Sequence, residues 1–336
     1  MSMKTIAFLA AIALGAPAAA GQPPRYSVTG SINGPDGGWD LLTVDPVAHR
    51  LFVARSATVT MVDLADGNRV SAIGTVDRGH AAVPIPGGHL LLVTSGRDGH
   101  ARLYGLPGGT LAADIAVGQN PDAAIWDGRL SAVLVMNARD GTVSVVDPAS
   151  ARVTRTIQLA PGLELAALDE HGILFVNNEE TSQIHVVDPA TGTVRGPIAL
   201  PGCEGPTGLG YDARGHRLIA ACANGKAAVV DSVAGRLIQL IDIGRGPDGV
   251  AIDEARGVAL IPCGRDGELD VIPLRGAGPL VVSERVRTEI GARTLALDPS
   301  TGALYLPTAR FGPVPADGGR PPALPGTFHI LVVSPR

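Results

Sequence analysis

Five residues before each of a series of Asp-Pro-type turns, the chain places Asp40, Ala81 with His80 beside it, Asp122, Glu164, Thr207, Asp248 and Arg293. Four of these seven are carboxylates, where average acidic usage would put about one. Carboxylates recurring in one register either cap turns, by accepting from nearby backbone N–H groups, or converge to hold a cation. In the second case Asp40, Glu164 and Asp248 form a metal set, His80 is the histidine placed to join them, and Trp39, Asp122 and Arg293 complete a polar ligand pocket. A second series closes the neighbouring apolar runs: Arg55, Ser95, Asn137, Asn178, Cys222, Cys263 and Thr308, all polar or sulfur-bearing. Asn137 and Asn178 are its contribution to the candidate pocket. Arg97, Arg139, Lys226, Arg265 and Arg310 follow in short loops, as a basic rim or as ordinary solvated and inter-blade charge.

What positions these residues is a repeat. Apolar runs typified by VSVVD and IHVVD end at Asp63, Tyr104, Asp147, Asp188, Asp231, Pro273 and Ser334, at intervals of 41, 43, 41, 43, 42 and 61 residues. Each is preceded by two strand-like runs and followed by a fourth, and four short strands per 42 or so residues is the size of a propeller blade. Turn chemistry agrees, since VDPVAHRLFVA, YDARGHRLIAA, IDEARGVALIP and LDPSTGALYLP each start a turn at aspartate, and in the last three a glycine near the turn's end is available for positive φ. The expectation is an all-β, seven-bladed β-propeller over residues 25–336, with blades at about 39–79, 80–120, 121–162, 163–205, 206–246, 247–291 and 292–336. The last repeat has only three strands, so the orphan strand within 25–38 is expected to complete it and hide a sheet edge. The blade-seven insertion RFGPVPADGGRPPALPGTF is too rich in proline and glycine for another strand pair.

Composition sets the outer limits. Of 336 residues 45% are hydrophobic and 18% charged, enough apolar surface to fold. A net charge of −5 and 3% aromatics provide neither phosphate attraction nor a stacking platform, which argues against nucleic acid as a partner. Residues 1–20, with Lys4 before IAFLAAIALGA and an Ala18-x-Ala20 site, read as a signal peptide cleaved after Ala20, so a periplasmic or secreted protein is expected. No other run approaches membrane-spanning length. Cys203, Cys222 and Cys263 lack zinc-type spacing, and an oxidising compartment permits one bridge, with Cys203 and Cys263 both open as partners for Cys222. Histidine-pair, nucleophile-elbow and phosphate-loop motifs do not occur.

The VVD-P-x-T-G-x-V hairpins, followed by IDIGRGPDGVAID or IAVGQNPDAAIWD, resemble the YVTN-repeat, YncE-like seven-bladed propeller family. The resemblance spans the chain after the leader and is strongest in repeats three to six, although the YVTN tetrapeptide itself is degraded to LFVAR, VLVMN, LFVNN and ALIPC. It implies an exported, monomeric, non-enzymatic propeller, and no catalytic residues carry over. The expected function is a binding module presenting a charged channel mouth to a protein, a cell-envelope component or a small polar ligand. The alternative is a calcium-type metal-dependent hydrolase or lactonase. Lactonase propellers hold calcium at the axis with Glu, Asp and Asn, to which this chain offers Glu164, Asp248, Asn137 and Asn178. A divalent cation is the one cofactor either reading admits.

Overall fold

The computed structural model describes residues 24–276, 278–315, 318–319 and 321–336; the expected leader, residues 1–20, lies outside the described residues. Seven antiparallel sheets of four strands form a ring. The first, innermost strands are Trp39–Asp45, Ala82–Ile85, Pro121–Asp127, Leu163–Leu168, Pro206–Asp212, Ala251–Asp253 and Ala296–Leu297, in blades one to seven.

Closure is as the strand count requires. Tyr26–Asn33 pairs antiparallel with His329–Pro335, Tyr26 opposite Pro335 and Asn33 opposite His329, and so becomes the outer strand of blade seven. The blade-seven insertion forms one isolated bridge, Phe311 to Ala323, and no strand pair among the described residues.

Blades pack face to face, so their middle strands are covered on both sides and read as unbroken apolar runs: Ala132–Asn137 and Val258–Cys263 are buried at every residue. Seven apolar clusters result, each filling one seam between adjacent blades; the seam between blades seven and one holds Ile32, Leu51, Val53, Tyr305, Phe328 and Ile330. Outer strands such as Arg152–Gln158 stay largely exposed.

The turn aspartates act as the sequence predicts. Asp45 Oδ1 accepts from the Val47 and Ala48 amides at 3.0 Å, and Asp127 Oδ1 from Arg129 and Leu130 at 2.8 and 3.2 Å. The left-handed position falls on His49 (φ 51°) and His216 (φ 48°) rather than on glycine, a conformation that histidine tolerates better than most residues.

Candidate functional site at the propeller axis

In blades one, three, four and five the second residue of the innermost strand faces the axis. This puts Asp40, Asp122, Glu164 and Thr207 at one mouth of the channel, with Asp248 and Arg293 reaching it from the segments before the shorter first strands of blades six and seven. These residues, with Arg78, His80, Asn120 and Glu179, line a cavity of about 420 Å³. The ring is also held through its backbone: the Leu41 amide donates to His80 O at 3.1 Å, Asp248 N to Arg293 O at 3.2 Å, and Thr294 Oγ1 to Asp40 O at 3.1 Å.

His80 sits between two carboxylates from neighbouring blades. Its Nδ1 lies 2.6 Å from Asp40 Oδ2 and 2.9 Å from Asp122 Oδ1, so one N–H serves both. Burial works against the imidazolium, but hydrogen bonds to Asp122 and Asp40, with their charges, outweigh it and lift its pKa to about 9. Gly96 makes room for the ring, because a Cβ there would lie 2.7 Å from His80 Cδ2. Across the mouth, Arg293 Nε donates to Asp248 Oδ2 at 2.6 Å. Burial raises the Asp248 carboxyl and Arg293 pulls it back, leaving it at about 6. Among the described residues Glu164 has no such partner: burial first, then the charges of Asp122, Glu179, Asp248 and Asp40, push its carboxyl up to about 10. Glu179, on the rim, is raised by burial and by Asp122 and Glu180.

The mouth carboxylates are therefore not the turn caps of this fold. Asp40 and Asp122 bond to His80, Asp248 bonds to Arg293, and capping belongs to the aspartates five residues later. Among the described residues, the group whose ligand atoms all lie within 4.8 Å of one another is Asp40, His80 and Asp122. Glu164 and Asp248, placed with Asp40 in the metal set on sequence grounds, stand outside that reach, so a metal at the trio would replace the shared proton on His80 Nδ1.

The second series does different work. Arg55 donates to the carbonyls of Pro35, Gly37 and Gly38 at 2.7–2.9 Å, Ser95 Oγ accepts from Asp77 N, Asn178 donates to Pro161 O at 2.7 Å, and Thr308 to Ile290 O at 2.8 Å. Cys222 reaches Cys203 by a disulfide, with Cα atoms 5.4 Å apart. In five blades, then, the end of strand two latches the loop that enters the same blade. Asn137 bonds Thr142 and Ser144 within its own hairpin. Asn137 and Asn178 are fully buried and do not line the axial cavity. Cys263 is a free buried thiol, pushed up by burial and by Asp270 and Glu268. In the loops, Arg97 approaches Asp77 at 3.5 Å and Lys226 pairs with Asp242.

Sequence reasoning missed Arg78, Asn120 and Glu179. A signal existed for Glu179 alone: the residue after each member of the second series is small in six blades (Ser56, Gly96, Ala138, Ala223, Gly264, Ala309) and glutamate in the fourth. Trp39 lies beside the axis, its ring 5.1 Å from Phe328 and 6.3 Å from Phe311 of the insertion. Two of the cavities that Phe311 walls share Arg293 with the axial one. One, about 400 Å³, is lined by Pro247, Asp248, Arg265, Ile290 and Arg293; the other, about 460 Å³, by Trp39, Arg293, Leu324 and Phe328.

No helix among the described residues is long and apolar enough to cross a membrane. No protein-family model and no curated protein matches the chain. Among solved structures it is similar to a chain of Kuenenia stuttgartiensis hydrazine synthase (TM-score 0.71, 15% identity, covering 82% of this chain and 94% of that one). It is also similar to a chain of the mitotic checkpoint complex (TM-score 0.74, 14% identity, 99% of each chain). At such identities the likeness is one of fold: the chain is a seven-bladed β-propeller.

Proposed function

We propose that this propeller is an exported binding module, akin to YVTN-repeat proteins, whose axial mouth takes a positively charged group from a small polar ligand or a protein partner. The observation that carries it is the charge count of one cavity. Asp40 and Asp122 share His80 and Asp248 pairs with Arg293, which leaves Glu164 and Glu179 with Arg78 as the remaining cation of the lining, and Glu164 keeps a proton far above its ordinary range because it is buried first and surrounded by carboxylates second. An ammonium or guanidinium group entering the cavity supplies positive charge and releases the Glu164 proton. The leader-like N-terminus and the VVD-P-x-T-G hairpins support export and the family likeness.

Titration calorimetry of methylguanidinium and n-butylammonium in two buffers of different ionisation enthalpy tests this. Binding should release close to one proton at pH 7.5, and a Glu164→Gln, Asp248→Asn variant should lose both binding and proton release. If calcium, manganese or zinc raises the melting temperature while the organic cations do nothing, the cavity is a metal site and the lactonase-like alternative takes over.

A further inference from the structure

The axial cavity does not stand alone. The cavity of about 400 Å³ beside it shares Asp248 and Arg293 with it, and its remaining lining is of the opposite character. Pro247, Ile290 and Phe311 form an apolar wall, and Ile290 is 55% exposed. The charge at its edge is Arg265, an exposed guanidinium without an ion pair among the described residues. The Asp248–Arg293 pair, 2.6 Å across, is thus the partition between a carboxylate-rich chamber and an apolar chamber with a cationic rim.

Resting on the cation-binding reading above, we propose that the ligand is an amphipathic zwitterion of the apolar α-amino-acid type: ammonium toward the axial carboxylates, carboxylate toward Arg265 and Arg293, and an aromatic or branched aliphatic side chain against Phe311 and Ile290. The pair exchange is what makes this class fit. An ammonium that takes over Asp248 frees Arg293 for the ligand's own carboxylate, so one internal ion pair becomes two across the interface and no charge is left unpaired. A ligand with only a cation strands Arg293, and one with only an anion strands Asp248. Phe311 belongs to the insertion that blade seven alone carries, so the apolar wall exists at one seam of the ring and the ligand has a single orientation.

Three compounds of one skeleton test it: L-phenylalanine, phenethylamine and 3-phenylpropionate, titrated calorimetrically into the intact protein and into Arg265→Gln and Phe311→Ala variants. Phenylalanine should bind at least tenfold more tightly than either singly charged analogue, the value expected for one charge-assisted contact. Arg265→Gln should bring phenylalanine to within about threefold of phenethylamine and leave phenethylamine itself unchanged. Phe311→Ala should weaken both. Phenethylamine binding as tightly as phenylalanine, with no response to Arg265→Gln, overturns the zwitterion and leaves the cation reading standing. Binding of 3-phenylpropionate alone, or of none of the three, overturns both. Arg265 is exposed, so loss of folding does not blur its readout.

Discussion

At the residue scale the axial mouth is a set of charges arranged by how many partners each finds. Among the described residues His80 has two carboxylates, Asp248 has one guanidinium and Glu164 has no ion-pair partner; the carboxylates hold the proton on His80 to about pH 9, and of the two buried carboxyls the unpaired Glu164 is raised further than Asp248. Glu164 is bound to a proton in the folded protein up to about pH 10, whereas in the unfolded chain it ionises near 4.5. Between those values only the folded state holds the proton, so stability falls as pH rises. His80 acts in the same direction: its folded pKa of about 9 exceeds the ordinary 6.5, so its contribution is complete below pH 6.5 and is lost as pH passes 9. Glu164→Gln should therefore stabilise the protein by about 2 kcal/mol at pH 7.5, half the unscreened value because the cavity is open to water. The variant should retain a decline between pH 6.5 and 9 that disappears when His80→Gln is added. Urea unfolding followed from pH 5 to 10 measures both. A wild-type midpoint that is flat over this range means that the mouth is solvated well enough to shift neither group.

At the element scale, the outer strand of blade seven is the one most exposed to loss, since it comes from the far end of the chain and no hairpin tethers it. Tyr26 anchors it: the side chain is 3% exposed, packs with Val258, Leu260 and Val286 of blade six, and its amide donates to Glu284 Oε2 at 3.1 Å. Tyr26→Ala should cost about 3 kcal/mol, the usual toll of emptying a buried aromatic site, and should leave the axial cavity intact because it lies at the opposite edge of the sheet. Thermal or chemical denaturation reads the loss, and ligand titration checks the sparing. An unchanged midpoint would show that the ring does not depend on this strand. Blade register was legible from the chain because strands, turns and period all obey local rules, whereas the insertion was not, because its proline-rich segment obeys none of them. Phe311 and Phe328, its two aromatic residues, both pack against Trp39, a placement that no pattern in the segment announces.

At the scale of the whole molecule, stability is spread over seven seams, and the disulfide fastens one loop to one of them. Cys203 and Cys222 lie 19 residues apart, and opening a loop of that size costs about 3 kcal/mol in chain entropy. Reduction should lower stability by that amount. Thiol titration in denaturant should find one group before reduction, Cys263, and three after it. Three before reduction would mean that the bridge does not form in the protein as made. Both Cys203 and Cys263 were open as partners for Cys222 because spacing alone measures no distance between blades; the loop before blade five decides the choice by carrying Cys203 to the end of its own second strand.

The chain alone determined the number of blades, the strands within each, the turns and the closing strand, because each rests on short-range chemistry: alternation, β-branched runs, aspartate-led turns and a period of about 42 residues. It also brought Asp40, Asp122, Glu164 and Asp248 to one mouth, since equal register around a ring means equal height along its axis, but not Glu179, which enters from the end of a second strand. Only the tertiary structure decided what those carboxylates meet there. His80 finds Asp40 and Asp122 because three blades converge, Arg293 reaches Asp248 across the seam between blades six and seven, and Asn137 and Asn178 turn into the blade and away from the axis. Coulomb energy depends on distance across the ring, and distances of that kind are set by closure and packing, which no local pattern in the sequence encodes.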